Sequence, residues 1–72
     1  MLIVSQDKKK IVNLATTELI DISEKFGIRA FQVNTADYFL EVASYENEER
    51  AKAVLNLLWS AYANNDKVFF MP

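Results

Sequence analysis

The sequence predicts an α+β domain: an antiparallel β-meander of about five strands, one C-terminal helix packed on the sheet, then a short terminal strand. Three observations predict it. Short runs rich in β-branched and aromatic residues, bounded by turn residues, follow one another up to Tyr45. The apolar spacing then changes from two to 3.6 after Asn47. A last aromatic run follows the polar stop Asn64-Asn65-Asp66.

Residues 1–5 are aliphatic and β-branched and read as the first strand. Gln6-Asp7-Lys8-Lys9 suits a turn, and residues 10–14 read as the second strand, so a hairpin is expected. Residues 15–17 are a connector. Residues 18–23 form the third strand, with Leu19, Ile20 and Ile22 apolar. Glu24-Lys25-Phe26-Gly27 holds the only Gly, which suggests a positive φ at that position. Residues 28–33 alternate, with Ile28, Ala30 and Gln32 on one face and Arg29, Phe31 and Val33 on the other. Asn34-Thr35-Ala36-Asp37 reads as a turn. Residues 38–45 alternate again, with Tyr38, Leu40, Val42 and Ser44 opposite Phe39, Glu41, Ala43 and Tyr45.

Asn47 is a good N-cap, and Glu48 and Glu49 suit the positive end of a helix dipole. Ala51, Val54, Leu55, Leu58 and Tyr62 make one apolar stripe. Residues 67–71 then read as the terminal strand. A pleckstrin-type rolled sheet is the second architecture considered, because a meander followed by a helix is its order. The chain is short for that fold.

The bulk properties bound the function. The chain has 72 residues, enough for one domain spanning 1–72, and 51% of them are apolar. A compact fold of this length has a radius of gyration of about 11 Å. There is no His and no Cys, which excludes a zinc finger, a thiol nucleophile and a Ser-His-Asp triad. One Gly leaves no phosphate-cradling loop. The expectation is therefore a non-enzyme without cofactor or metal. A net charge of −2 argues against nucleic acid as the main partner. Met1–Val4 is too short for the apolar region of a signal peptide, and no stretch approaches the roughly 20 apolar residues of a membrane span. A cytoplasmic setting is expected.

Ser5-Gln6-Asp7-Lys8 after an apolar start, Glu48-Glu49-Arg50-Ala51 opening the helix, and the closing Val68-Phe69-Phe70-Met71-Pro72 resemble a group of short, uncharacterised proteins of Gram-positive bacteria. The resemblance spans nearly the whole chain. It implies the fold order and a bacterial cytoplasmic setting, and it carries no functional residue, since none of these motifs is catalytic.

Few residues invite chemistry. Lys8-Lys9-Lys10 is the basic cluster, and suits a phosphate or an acidic partner less well than a solvated hairpin tip. Glu41, Glu46, Glu48 and Glu49 are better explained by the helix start than by a cation site. Asp7, Asp21 and Asp37 fit turns or an exposed strand face. Ser5, Ser23, Ser44 and Ser60 lack a His to activate them.

The nine aromatic residues are more informative, and most are expected in the core. Trp59 and Leu57 are the exceptions. They sit about 80° to one side of the apolar stripe and about 120° to the other, at 100° per residue. Phe69 and Phe70 are adjacent in a strand, so they point to opposite faces, and one sheet under one helix leaves one of them uncovered. Leu57, Trp59, Phe69 and Phe70 are therefore the candidate interface of a homodimer, or of a surface for another protein. The alternative is a curled-sheet binder of a small ligand, a peptide or a single-stranded nucleic acid. In the last case bases would stack on Tyr38, Phe31 or Phe39, with charge from Lys8, Lys9, Lys10, Lys25 and Arg29.

Overall fold

In a computed structural model of the chain, residues 1–33 and 38–72 are described, so the turn expected at residues 34–37 lies outside the described residues. Eight elements follow one another. They are β1 (Leu2–Val4), β2 (Ile11–Asn13), a 3₁₀ turn (Leu14–Thr16), β3 (Thr17–Ile22), β4 (Gly27–Gln32), β5 (Phe39–Ser44), α1 (Glu48–Ala63) and β6 (Val68–Phe70).

The α+β class, the C-terminal helix on a sheet and the short terminal strand stand as expected. The single five-stranded meander does not. The strands form two three-stranded sheets, β2-β1-β6 and β3-β4-β5. The first is mixed, since β1 pairs antiparallel with β2 and parallel with β6. The physical reason lies at Asn13. Its side chain accepts from the Ala15 amide at 3.0 Å and caps the 3₁₀ turn, which lifts the chain out of the first sheet before β3 begins. β3 therefore pairs with β4 alone, and the free side of β1 is taken by β6 after the helix.

Gln6 joins the two sheets. Its amide donates to the Val42 carbonyl at 2.7 Å, and its Oε1 accepts from the Ser44 amide at 3.0 Å. Its Nε2 donates to the main-chain oxygen of Pro72 at 3.0 Å, which also accepts from the Tyr45 hydroxyl at 2.9 Å. One side chain thus ties the β1–β2 turn to β5 and to the segment after β6.

Two bulges set which residues face inward. In the β4–β5 ladder Ile28 faces Ala43 and Arg29 faces Glu41, so Val42 is the extra residue on β5. Val42 and Ala43 are consecutively buried as a result, which strict alternation forbids. In the β3–β4 ladder Thr17 faces Gln32 and Leu19 faces Phe31, so Glu18 is the extra residue on β3.

The only Gly does not have a positive φ. That conformation falls on Phe26, at φ 63°, in the hairpin turn just before it. Gly27 is instead buried beside the side chains of Glu41 and Ser23. A Cβ there would lie 2.5 Å from the Glu41 carboxylate and 3.2 Å from the Ser23 hydroxyl.

The helix begins at Asn47, whose side chain accepts from the Arg50 amide at 2.8 Å. It ends in a Schellman turn: Asn65, at φ 61°, donates to Tyr62, and Asp66 donates to Ala61. Its buried face is Ala51, Val54, Leu58 and Ala61, so Tyr62 is displaced from the stripe and exposed. The buried arc is rotated by about 40° from the predicted one, toward Leu57 and away from Trp59, at 100° per residue.

The core joins Ile3 and Val12 of the first sheet, and Met71 just after it, to Ile28, Ala30, Val42 and Ala43 of the second, under Val54 and Leu58. None of the nine aromatic side chains is fully buried, against the expectation that most would be. The reason is thickness: Ala30, Ala43 and Ala51 let the layers approach too closely for a ring to lie between them. The radius of gyration is 11.3 Å.

Replacing Gln6 by Ala removes two side-chain hydrogen bonds while leaving its main-chain bond to Val42. We expect a loss of about 1 kcal/mol, because both bonds are solvent-exposed. Urea unfolding should show a lower midpoint with an unchanged slope.

Candidate interaction surface

Side chains left outside this thin core form two separate apolar surfaces. The first lies on the outer face of β2-β1-β6. Inward-pointing Ile3 and Val12 leave Leu2, Val4 and Ile11 on the other side, with Val68 and Phe70 continuing the rows across β6. Phe70 is 61% exposed, whereas Phe69 packs against the core. Exposed Leu57 lies beside both, across a shallow depression. The Lys8 ammonium sits 5.5 Å from the Phe70 ring centre.

The second surface is a groove of about 880 Å³ between α1 and β3. Leu55, Trp59 and Tyr62 form its helix wall, and Leu19, Ile20 and Glu18 its strand wall. Met1 and Leu14 close one end. Trp59 stacks on Tyr62, with ring centres 6.1 Å apart. Both rings remain in water, Trp59 at 68% and Tyr62 at 52% exposure. The four predicted interface residues are therefore not one patch. Leu57, Phe69 and Phe70 gather at the end of the first sheet, and Trp59 stands over the groove.

Sequence reasoning missed Tyr62, Leu19 and Glu18 as members of the groove. Tyr62 fits the apolar stripe within about 60° of the true buried arc, so the helical period alone cannot separate it from Leu58. Glu18 lines the groove beside Ile20, two residues along β3, and its charge kept it from being read as part of an apolar surface.

The outer face of the second sheet carries the rings proposed for stacking bases. Phe31 and Phe39 are 5.4 Å apart and tilted. The Arg29 guanidinium lies 5.2 Å from the centre of each ring. Arg29 is also held by Asp21 through two hydrogen bonds, at 2.7 and 2.5 Å. Asp21 raises the guanidinium pKa above its ordinary value. One cation, itself paired with Asp21, thus packs against both rings, while Phe39 stays 43% exposed.

The basic tip is engaged in part. Lys10 is 3.6 Å from Asp7, and the Lys9 amide donates to Asp7 at 2.9 Å. Buried Ser5 organises the turn: its hydroxyl donates to Asp7 at 2.6 Å and accepts from the Lys10 amide at 3.0 Å. Glu48 pairs with Lys52 at 3.3 Å, one turn along the helix. Among the described residues no three acidic, His or Cys side chains converge as a metal site. Burial raises the Tyr45 pKa above 10.0, with Arg50 opposing it.

Asp7 has a pKa held below its ordinary 3.8, first by the Ser5 hydroxyl and then by the Lys9 amide. A depressed carboxylate pKa stabilises the fold above the unfolded value, and that contribution disappears as pH falls through the folded one. The Asp7 carboxyl, followed by NMR, should titrate below 3.8, and Ser5→Ala should move the midpoint back up.

Comparison of the chain with protein-family models, with curated proteins and with solved structures gives no match.

Proposed function

We propose that the chain is a small non-catalytic protein-interaction module that self-associates, and that Trp59 and Tyr62 lie at the contact. The exposed stack of Trp59 on Tyr62 beside an apolar groove carries this reading. Trp and Tyr concentrate at the centres of protein interfaces, because each buries a large area at little conformational cost. Covering roughly 150 Å² of each Trp contributes about 4 kcal/mol, hence about 8 for two copies in a symmetric pair. Association costs about 4–15 kcal/mol. Trp59 is therefore necessary on this reading but needs the rest of the groove.

The non-catalytic part rests on the absence of His and Cys from the chain. The pKa shifts that are resolved fit it too: Asp7 goes down, Arg29 and Tyr45 go up, and none moves toward neutrality. Among the described residues no helix is long and apolar enough to cross a membrane. A bacterial cytoplasmic setting belongs to the proposal through the resemblance of the chain ends. A base-stacking role ranks second, because Arg29 already occupies the rings it would use.

Light scattering coupled to size exclusion, over a dilution series, tests the proposal. The expected mass is near twice 8.3 kDa, falling to a single chain in Trp59→Ala with an unchanged circular dichroism spectrum. A wild-type monomer at every concentration overturns it.

A further inference from the structure

The groove has a strand along one wall, and that strand is an uncovered edge. β3 is the outermost strand of its sheet and runs for six residues. β2 and β6 are edges of only three residues each. β5 is partly capped, since Gln6 occupies the Val42 carbonyl and the Ser44 amide. β3 is therefore the longest uncapped edge among the described residues.

Its hydrogen-bonding register follows from the hairpin. The Ser23 amide donates to the Gly27 carbonyl at 2.8 Å. Bonded pairs alternate along an antiparallel ladder, so Asp21 with Arg29 and Leu19 with Phe31 are the next ones. Ile20 and Ile22 consequently turn their amides and carbonyls to the open edge. Their side chains face the helix layer and are only half-buried, while those of Ile28 and Ala30 on the next strand are fully covered.

We infer that two copies join edge to edge along β3, making one six-stranded antiparallel sheet with both helices on the same side. This names the partner and the geometry of the self-association proposed above, and it rests on that reading. The strand centres on Ile20, opposite the Ile20 of a second copy. Ile22 then faces the Glu18 position of its neighbour, and Asp21 faces Leu19. The centre at Ile20 keeps Asp21, which is paired with Arg29 of its own chain, opposite an apolar residue rather than opposite a second Asp21.

The pairing also fills the groove. Ile20 and Ile22 of the second copy arrive on the helix side, beneath Leu55, Trp59 and Tyr62. Adjacent strands are about 4.8 Å apart, and α1 lies over β3 and β4, so the helices meet at about 10 Å, an ordinary packing distance. The occupant is thus self-complementary in hydrogen bonds and apolar side chains.

Two measurements on the same protein test the pairing. A sample mixed from labelled and unlabelled chains is examined by isotope-filtered NMR for contacts between copies. Close approach of the Leu19 and Asp21 α-protons between chains is expected. Ile20→Pro removes the outward amide without touching the bonds to β4, and should halve the mass while retaining the native amide spectrum. A dimer that lacks the Leu19–Asp21 contact and survives Ile20→Pro overturns edge pairing but leaves self-association standing. A wild-type monomer overturns both.

Discussion

The fold depends on one apolar core shared by two sheets that have no continuous ladder between them, with Gln6 as their polar link. The first sheet, built of three-residue strands, cannot bury enough surface to persist alone. It is stable here because Ile3, Val12 and Met71 join the core of the second sheet, while the Gln6 amide meets the Val42 carbonyl and its side chain reaches Ser44 and Pro72. The Val42 bulge makes that meeting possible. It lets β5 leave its β4 register and present a carbonyl outward, while both Val42 and Ala43 turn into the core.

Thinness of the core governs everything exposed. Ala30, Ala43 and Ala51 are fully or almost fully covered, so the helix and sheets meet closely and the interior is filled by aliphatic side chains. The rings are pushed to the rim. There they take what partners a surface allows: Arg29 on Phe31 and Phe39, Lys8 near Phe70, Arg50 over Tyr45. Trp59 and Tyr62 have only each other among these ring contacts. They stand over the groove beside the β3 edge, where main-chain groups also lack partners, and two kinds of unmet interaction coincide at one place. That coincidence connects the packing problem of a small domain to the proposed role in association.

Much of the local structure was legible. Asn47 and the acidic first turn announce the helix start, Asn64-Asn65-Asp66 its end, and Ser5-Gln6-Asp7-Lys8 a turn. Alternation also put Ile28 and Ala30 on one face of their strand, and that face proves to be the buried one. Trp59 as an exposed ring was readable too, since it falls well off the apolar stripe. Other features were not. Gly27 suggested a positive φ, but Phe26 carries it, one residue earlier in the turn. Tyr62 looked like core because the stripe is defined only to within a residue's width.

The sequence by itself determined which elements occur and, to within a residue or two, where they begin and end. Those properties depend on caps, turns and spacing within a few residues. Tertiary structure decided the rest: the division into two sheets, the parallel seating of β6 on β1, the bulges at Glu18 and Val42, and the exclusion of every ring from full burial. Each depends on how far apart packed layers lie and which strand edge is vacant when a distant segment returns. No short window of residues encodes those distances, because they are set jointly by side chains from opposite ends of the chain.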